Sequence, residues 1–311
     1  MKINLISYDD PKNNGVNRYA QTLHAGLNKF YGKTDEIEWT KIHKYEIHGH
    51  FGLVSVRFLS ALQARNYDKT DINHAVSTFL DAKAVNVITL HDVSFLEHHI
   101  DYTKKYVSYN KKHIQKLLLS NKKFIVPSNV VRDMVLRNFD VSPEKVVAIH
   151  HGIEQLSDDY KNSLQNPYKD EKIHIVILGG LDHIRRKFDK ILERVRDTNY
   201  EVYVIGYGNN PVYDTFRSST NIHFLGYLDD HSVHEYVKFS DLVAYNSVDE
   251  GFGYIPLEVF NLGGRVLTNE APIFREICQD YAYYYNPNFS NFSEMLQLAL
   301  HSNVKDVAHY V

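Results

Sequence analysis

Asp249-Glu250-Gly251-Phe252-Gly253-Tyr254-Ile255-Pro256-Leu257-Glu258 is the most informative stretch of the 311-residue chain. It follows the apolar run Leu242 to Tyr245, which reads as a strand, and leads into Ile255 to Leu262, which reads as a helix. Between them Gly251 and Gly253 make a turn whose backbone can approach a ligand closely, and the first amides of the helix can face an anion. Glu250 sits on the turn, and Glu258, with seven residues between the two, sits on the helix. Strand, glycine turn and helix in that order are one step of α/β construction.

The same alternation extends in both directions. In the second half Ile173 to Leu178, Glu201 to Ile205, Ile222 to Leu225 and Arg265 to Leu267 are further strands, separated by helical patterns at Phe188 to Arg196 and Ser232 to Phe239. The first half offers strands at Ile3 to Ser7, Asp71 to Val76, Val85 to Leu90, Lys123 to Pro127 and Val146 to Ile149. A helix starting at Ser128 buries Val131, Val135 and Phe139 on one face. The polar segment Glu154 to Glu171, with Pro167, reads as the linker. The expected division is therefore residues 1–153, a linker over 154–171, a second domain over 172–290 and a short C-terminal segment over 291–311, with a brief helix from Ser293 to Leu300.

The stretch from Asp249 to Glu258 resembles the donor-site signature of the retaining, two-domain glycosyltransferases of the family 4, or group 1, type. Two flanking strings fit the same pattern in the same order: Asn221 to Asp230 before it and Gly263 to Ile277 after it. In the first half, Val126-Pro127-Ser128-Asn129 and the run from Val141 to Ile153 are similar to the family's domain end. The resemblance implies a GT-B fold, two Rossmann-like α/β domains facing a cleft. It also implies transfer of a hexose from a nucleotide-diphosphate sugar to a saccharide, lipid-linked or other hydroxyl acceptor.

Residue roles follow from the same resemblance. Glu250 meets the donor sugar, Gly251, Phe252 and Gly253 shape the donor turn, and Glu258 meets the ribose. In Gly179-Gly180-Leu181-Asp182-His183-Ile184-Arg185-Arg186-Lys187, Lys187 and then Arg186 are the ligands of the diphosphate. Relatives carry arginine where this chain has Gly180, so Arg185 or Arg186 has to supply the missing guanidinium. Gly15, in Asn13-Asn14-Gly15-Val16, corresponds to a loop close to the donor phosphate. His91 corresponds to the histidine that approaches the transferred sugar, and Asp92 either holds that histidine or meets the acceptor. His91, Asp92 and Glu250 are thus the catalytic candidates. With no independent nucleophile in the sequence, departure and attack on one face of the sugar are expected, and Glu250 supports the sugar electrostatically.

Composition excludes other classes. Thirty-five Lys plus Arg against 38 Asp plus Glu give a net charge of -3 and no general attraction to nucleic acid. One cysteine, Cys278, forbids an intrachain disulfide and a cysteine zinc cluster and suits a reducing, cytoplasmic setting. His98-His99 and His150-His151 lack a metal-ligand pattern, so no metal and no obligatory cofactor beyond the donor itself are expected. Gly206-Tyr207-Gly208 is too short for a dehydrogenase fingerprint. A hydrolase pair would have to flank one glycosidic bond, which the separate sugar and ribose roles of Glu250 and Glu258 oppose. The alternative is a catalytically inactive carbohydrate-binding or assembly protein on the same fold.

No run approaches the roughly 20 apolar residues that span a bilayer. Between Tyr102 and Lys123, however, lie Lys104, Lys105, Lys111, Lys112, Lys116, Lys122 and Lys123 with no acidic residue, accompanied by Tyr106 and Tyr109. If helical, this segment packs Ile114, Leu117 and Leu118 inward and offers a basic face to an anionic membrane surface or lipid-linked acceptor.

Overall fold

The computed structural model describes residues 1–9, 15–43, 72–81, 83–97, 102–182 and 186–302. The chain forms two compact units, Met1–Glu154 and Gln155–Val311. Each contains one six-stranded sheet in which every pairing is parallel. Two Rossmann-like α/β units are the architecture expected of a GT-B fold.

In the first unit the strands are β1 (Lys2–Asp9), β2 (Glu36–His43), β3 (Ile72–Ala75), β4 (Val87–Thr89), β5 (Lys123–Val126) and β6 (Val146–Ala148), in the order β2-β1-β3-β4-β5-β6. Among the described residues three α-helices accompany them: α1 (Gly15–Tyr31), α2 (Lys104–Leu118) and α3 (Asn129–Asn138). Ser128 starts α3 because its hydroxyl accepts the Val131 amide at 3.2 Å, satisfying one of the helix's orphan donors. Val131, Val135 and Phe139 are then buried, as the periodicity requires. They join Leu80, Ile88, Phe124, Ile114 and Leu117 in one core cluster.

The second unit is built from α4 (Asp158–Ser163), β7 (His174–Leu178), α5 (Phe188–Val195), β8 (Glu201–Ile205), β9 (Ile222–Gly226), α6 (Asp230–Phe239), β10 (Leu242–Tyr245), α7 (Tyr254–Asn261), β11 (Val266–Asn269), α8 (Pro272–Cys278), β12 (Tyr283–Tyr285) and α9 (Phe292–His301). Its sheet order is β12-β11-β10-β7-β8-β9. Every residue of β7 and β10 is buried, as central parallel strands covered on both faces must be. Phe188, Ile191, Leu192 and Val195 recur at helical spacing and form the fully buried face of α5.

Two strands have no counterpart in the sequence reading. In β2 charged and apolar residues alternate, and it pairs only with β1, so it carries no continuous apolar run. β12 is only three tyrosines, which α9 helps to bury. The stretch 154–171 is itself structured. Ser157 caps α4, Leu164 and Tyr168 are buried, and the Tyr168 hydroxyl donates to the Tyr236 carbonyl at 2.7 Å. Among the described residues no helix is long and apolar enough to cross a membrane. The expected strand start at Asp71, His98-His99, Asn13-Asn14, Arg185 and residues 303–311 lie outside the described residues.

Candidate active site

Topology singles out one place in the second unit. β7 and β10 are neighbours, yet the chain proceeds from β7 to β8 on one side and from β10 to β11 on the other. At such a switch point the loops leaving the two carboxyl ends diverge and leave room for a ligand. The loop after β7 carries Gly179, Arg186 and Lys187, and the loop after β10 carries Glu250 to Gly253.

Arg186 turns back across the start of its own loop. A Cβ added to Gly179, which has φ +136, would lie 3.2 Å from Arg186 Nη1 and 3.3 Å from Nε and Cζ. The guanidinium donates through Nη1 to the Tyr245 hydroxyl, and the same nitrogen lies 3.4 Å from Glu250 Oε1. Tyr245 in turn donates to Glu250 Oε1 at 2.8 Å. Asn246 Nδ2 donates to the Arg186 carbonyl at 2.7 Å and fixes the loop from the other side. Burial opposes the charge on Arg186, but Tyr245 and Glu250 outweigh it and raise its pKa further, so it is a permanent cation. Burial, and then Glu250, push the Tyr245 phenol well above its ordinary range, so it stays a proton donor.

Lys187 behaves differently. It occupies the left-handed region, φ 45 and ψ 37, at the start of α5, a conformation costing a non-glycine residue about 1–2 kcal/mol. Its side chain is exposed and has no ion-pair partner among the described residues. A cation here opposes the helix dipole, and Asp189 in the first turn offsets part of that opposition.

Gly253 starts α7 with φ +91, and a Cβ there would come within 3.1 Å of the Phe274 ring. Glycine therefore allows both the left-handed turn and the close packing. Phe252 is buried with its ring 5.2 Å from Tyr254, Gly251 is half-buried on the turn, and Glu258 is half-buried on α7. The turn is braced from β11: the Asn269 side chain accepts the Ser247 amide at 3.1 Å and donates to the Ser247 carbonyl at 3.0 Å.

In the first unit His91 follows β4, and its Nε2 lies 2.8 Å from the Val76 carbonyl at the end of β3. Facing a carbonyl, Nε2 must donate, which leaves Nδ1 of the neutral ring as an acceptor. Burial holds His91 below its ordinary pKa, against the Val76 bond and the charge of Asp92. Asp92 does not hold this histidine: its Oδ1 accepts from the amide and hydroxyl of Ser94, at 3.2 and 2.9 Å. Tyr19 instead stands beside His91, with ring centroids 5.3 Å apart, and His151 packs on both, 4.2 Å from Tyr19 and 5.3 Å from His91. The Thr89 hydroxyl joins Tyr19 at 3.0 Å to His74 at 2.8 Å. Burial first, and then the neighbouring His91, lowers His74 to about 4 and His151 to about 2. Gly15 is the first residue of α1, a helix with no acidic residue in its first turn.

Arg186 and Glu250 are thus brought together, with Gly179 and Lys187 on the loop beside them. Sequence reasoning missed Tyr245, Asn246, Tyr19 and His74. For Tyr245 the available signal was a hydroxyl at the last position of an otherwise apolar strand.

Comparison with known proteins follows the same division of the chain. Residues 13–155 match the family described as Glycosyltransferase Family 4, and residues 179–309 match Glycosyl transferases group 1. A 41.2 kDa protein in the cps region of Klebsiella pneumoniae is 21% identical over 265 residues, spanning 79% of this chain and 73% of its own length. Among solved structures, WaaG, a glycosyltransferase involved in lipopolysaccharide biosynthesis, superposes with a TM-score of 0.72 at 17% identity, covering 96% of this chain and 91% of that one. Anabaena HepE in complex with UDP and glucose gives 0.66 at 14% identity over 96% and 89% of the two chains. Sucrose-phosphate synthase from Thermosynechococcus elongatus gives 0.73 at 12% identity over 96% and 90%. With both halves matched in this order, the chain belongs to the superfamily of GT-B-fold glycosyltransferases.

Proposed function

We propose that the chain is a retaining glycosyltransferase that moves a hexose from a nucleotide-diphosphate sugar to a hydroxyl of a saccharide or lipid-linked acceptor. The observation that carries this reading is the meeting of Arg186 and Glu250 at the β7/β10 switch point, with the exposed Lys187 on the same loop. Breaking the bond between the sugar and the diphosphate places negative charge on the phosphate and positive character on the sugar carbon. Lys187 and Arg186 stabilise the first, and the Glu250 carboxylate supports the second. Glu258 holds the ribose, and Gly251, Phe252 and Gly253 shape the turn between the two glutamates. His91 orients a sugar hydroxyl, whose O–H donates to its Nδ1. The acceptor oxygen attacks from the face that the diphosphate leaves, and its proton passes to the departing phosphate oxygen. Each step is thereby balanced without a covalent sugar-enzyme intermediate. The complex of HepE with UDP and glucose supports a nucleotide-sugar donor, and WaaG, a glycosyltransferase involved in lipopolysaccharide biosynthesis, supports a saccharide or lipid-linked acceptor.

We also place the protein in the cytoplasm, working against an anionic membrane surface. Lys104, Lys105, Lys111, Lys112 and Lys116 are exposed on α2 beside the exposed Tyr106 and Tyr109, while Ile114, Leu117 and Leu118 face the core. Lys122 does not share in this face, because it pairs with Asp81 at 2.8 Å.

Calorimetric titration with UDP, GDP and ADP tests the donor assignment. One of them binds, and Lys187→Ala weakens it about tenfold, the scale of one lost charge-assisted hydrogen bond. Equal affinity in the folded variant removes Lys187 from the phosphate site.

A further inference from the structure

Tyr245 stands between the two charged residues of the candidate site. Its ring is fully buried at the end of β10, and its hydroxyl accepts from Arg186 Nη1 while donating to Glu250 Oε1 at 2.8 Å. A hydroxyl has one proton to give and two lone pairs, so this placement uses the donor and leaves one lone pair over. The direct contact between Arg186 Nη1 and Glu250 Oε1 is 3.4 Å, longer than the roughly 2.7–2.9 Å of a strong charge-assisted bond. The phenol therefore carries the connection between cation and carboxylate. Its backbone is fixed as well, since the Tyr285 hydroxyl lies 3.1 Å from the Tyr245 carbonyl and 2.9 Å from Asn246 Oδ1. The Arg186 guanidinium also lies over the Tyr245 ring, 5.4 Å from its centroid.

The arrangement leaves two groups open. Among the described residues neither Glu250 Oε2 nor Arg186 Nη2 has a hydrogen-bond partner, and Arg186 Nε is buried with none. One oxygen of the carboxylate is thus spent on tyrosine and the other is available to a sugar hydroxyl. One arm of the guanidinium is spent in the same way and the other is available to an anion.

We propose that Tyr245 is the positioning residue of this site: its hydroxyl locks Glu250 to Arg186, so that the sugar-facing carboxylate and the phosphate-facing guanidinium are held as one unit. The inference rests on the donor-site reading above and adds to it the residue that sets the geometry. A carboxylate held in one rotamer pays no ordering cost when the sugar arrives, so loss of the lock should be felt by the sugar more than by the nucleotide.

Tyr245→Phe keeps the ring and its packing and removes only the hydroxyl. In calorimetry with the matched pair UDP and UDP-glucose, or the corresponding GDP or ADP pair that the wild type binds, the variant should bind the nucleotide sugar about tenfold more weakly. The bare diphosphate should lose less than about threefold. Equal losses for both ligands, or none, overturn the inference. A second measurement needs no ligand. Arg186→Gln and Glu250→Gln, made singly and together, should be coupled in urea unfolding of the wild-type background and more weakly coupled once Tyr245→Phe is present, the direct 3.4 Å charge contact alone remaining. Coupling that is unchanged in Tyr245→Phe overturns the inference. A wild type that binds none of the nucleotides, with the coupling behaving as expected, defeats the donor reading and leaves the lock as a structural fact only.

Discussion

Acidification should unfold the first unit through its buried histidines. His74 and His151 are 5% and 6% exposed, and burial holds their pKa values at about 4 and about 2 against an ordinary 6.5. His91 is lowered for the same reason. In the unfolded chain all three bind protons near pH 6.5, whereas in the folded unit they do not. Between pH 6.5 and about 4 the unfolded state therefore holds more protons, and stability rises with pH across that window and falls on acidification. The drop for His74 alone is worth about 3 kcal/mol in full, of which about 2 kcal/mol is already lost at pH 5. That is a large part of an ordinary domain's stability of about 5–15 kcal/mol. Carboxylates lowered by their partners, such as Asp35, lose their contribution only nearer their own lower range, so the histidine window stands apart. Trp39, the single tryptophan, lies on β2 with its indole donating to Ser7 Oγ at 2.8 Å, so its fluorescence reports this unit alone. Urea titrations at pH 7.5 and pH 5.0 should show the Trp39 midpoint lower at pH 5.0 by roughly 1 M, given urea slopes of about 1–3 kcal/mol per molar. Coincident midpoints would refute the claim that these histidines are held neutral.

Two further predictions separate the roles within the second unit and on α2. Glu250→Gln keeps size and loses charge, and should lower turnover at saturating donor about a hundredfold, whereas Glu258→Gln should mainly raise KM for the donor about tenfold; indistinguishable kinetics for the two variants defeat the division of roles. Replacing Lys104, Lys105, Lys111 and Lys112 together with Gln should remove about 1 kcal/mol of attraction per charge to phosphatidylserine-containing vesicles at low salt while leaving nucleotide affinity unchanged, and equal vesicle binding removes the membrane role from α2.

Where sequence spoke clearly, the cause was local. His174 to Leu178 and Leu242 to Tyr245 are central parallel strands, covered on both faces, and such strands announce themselves as unbroken apolar runs. Glu36 to His43 has Ile37, Trp39 and Ile42 set between polar residues and shows no unbroken apolar run, so its signal is weaker than that of the central strands. Glu250 and Glu258 were visible as a pair because the ten residues from Asp249 to Glu258 resemble a family signature that is local in sequence. Tyr245 left only a weak trace in the sequence, the one hydroxyl ending an apolar strand, for the opposite reason. Its hydroxyl matters only because β7 pairs with β10, which brings Arg186 to it from 59 residues away. That the Arg186 guanidinium folds over Gly179 was likewise beyond local reasoning, and Arg185 lies outside the described residues. Asp92 was read as holding the histidine beside it or meeting the acceptor; its Oδ1 accepts from the amide and hydroxyl of Ser94, the short-range bond an aspartate makes two residues on.

The central claim is transfer of a sugar from a nucleotide donor. Its most direct test incubates the protein with UDP-, GDP- and ADP-hexoses and a set of saccharide and lipid-linked acceptors, reading released nucleoside diphosphate and acceptor mass in the same reaction. One donor should release diphosphate in step with an acceptor that gains a single hexose, and the new linkage should carry the donor's anomeric configuration. Folded protein that binds a sugar yet yields neither diphosphate nor heavier acceptor across the set would contradict the account and identify a binding protein on a glycosyltransferase fold.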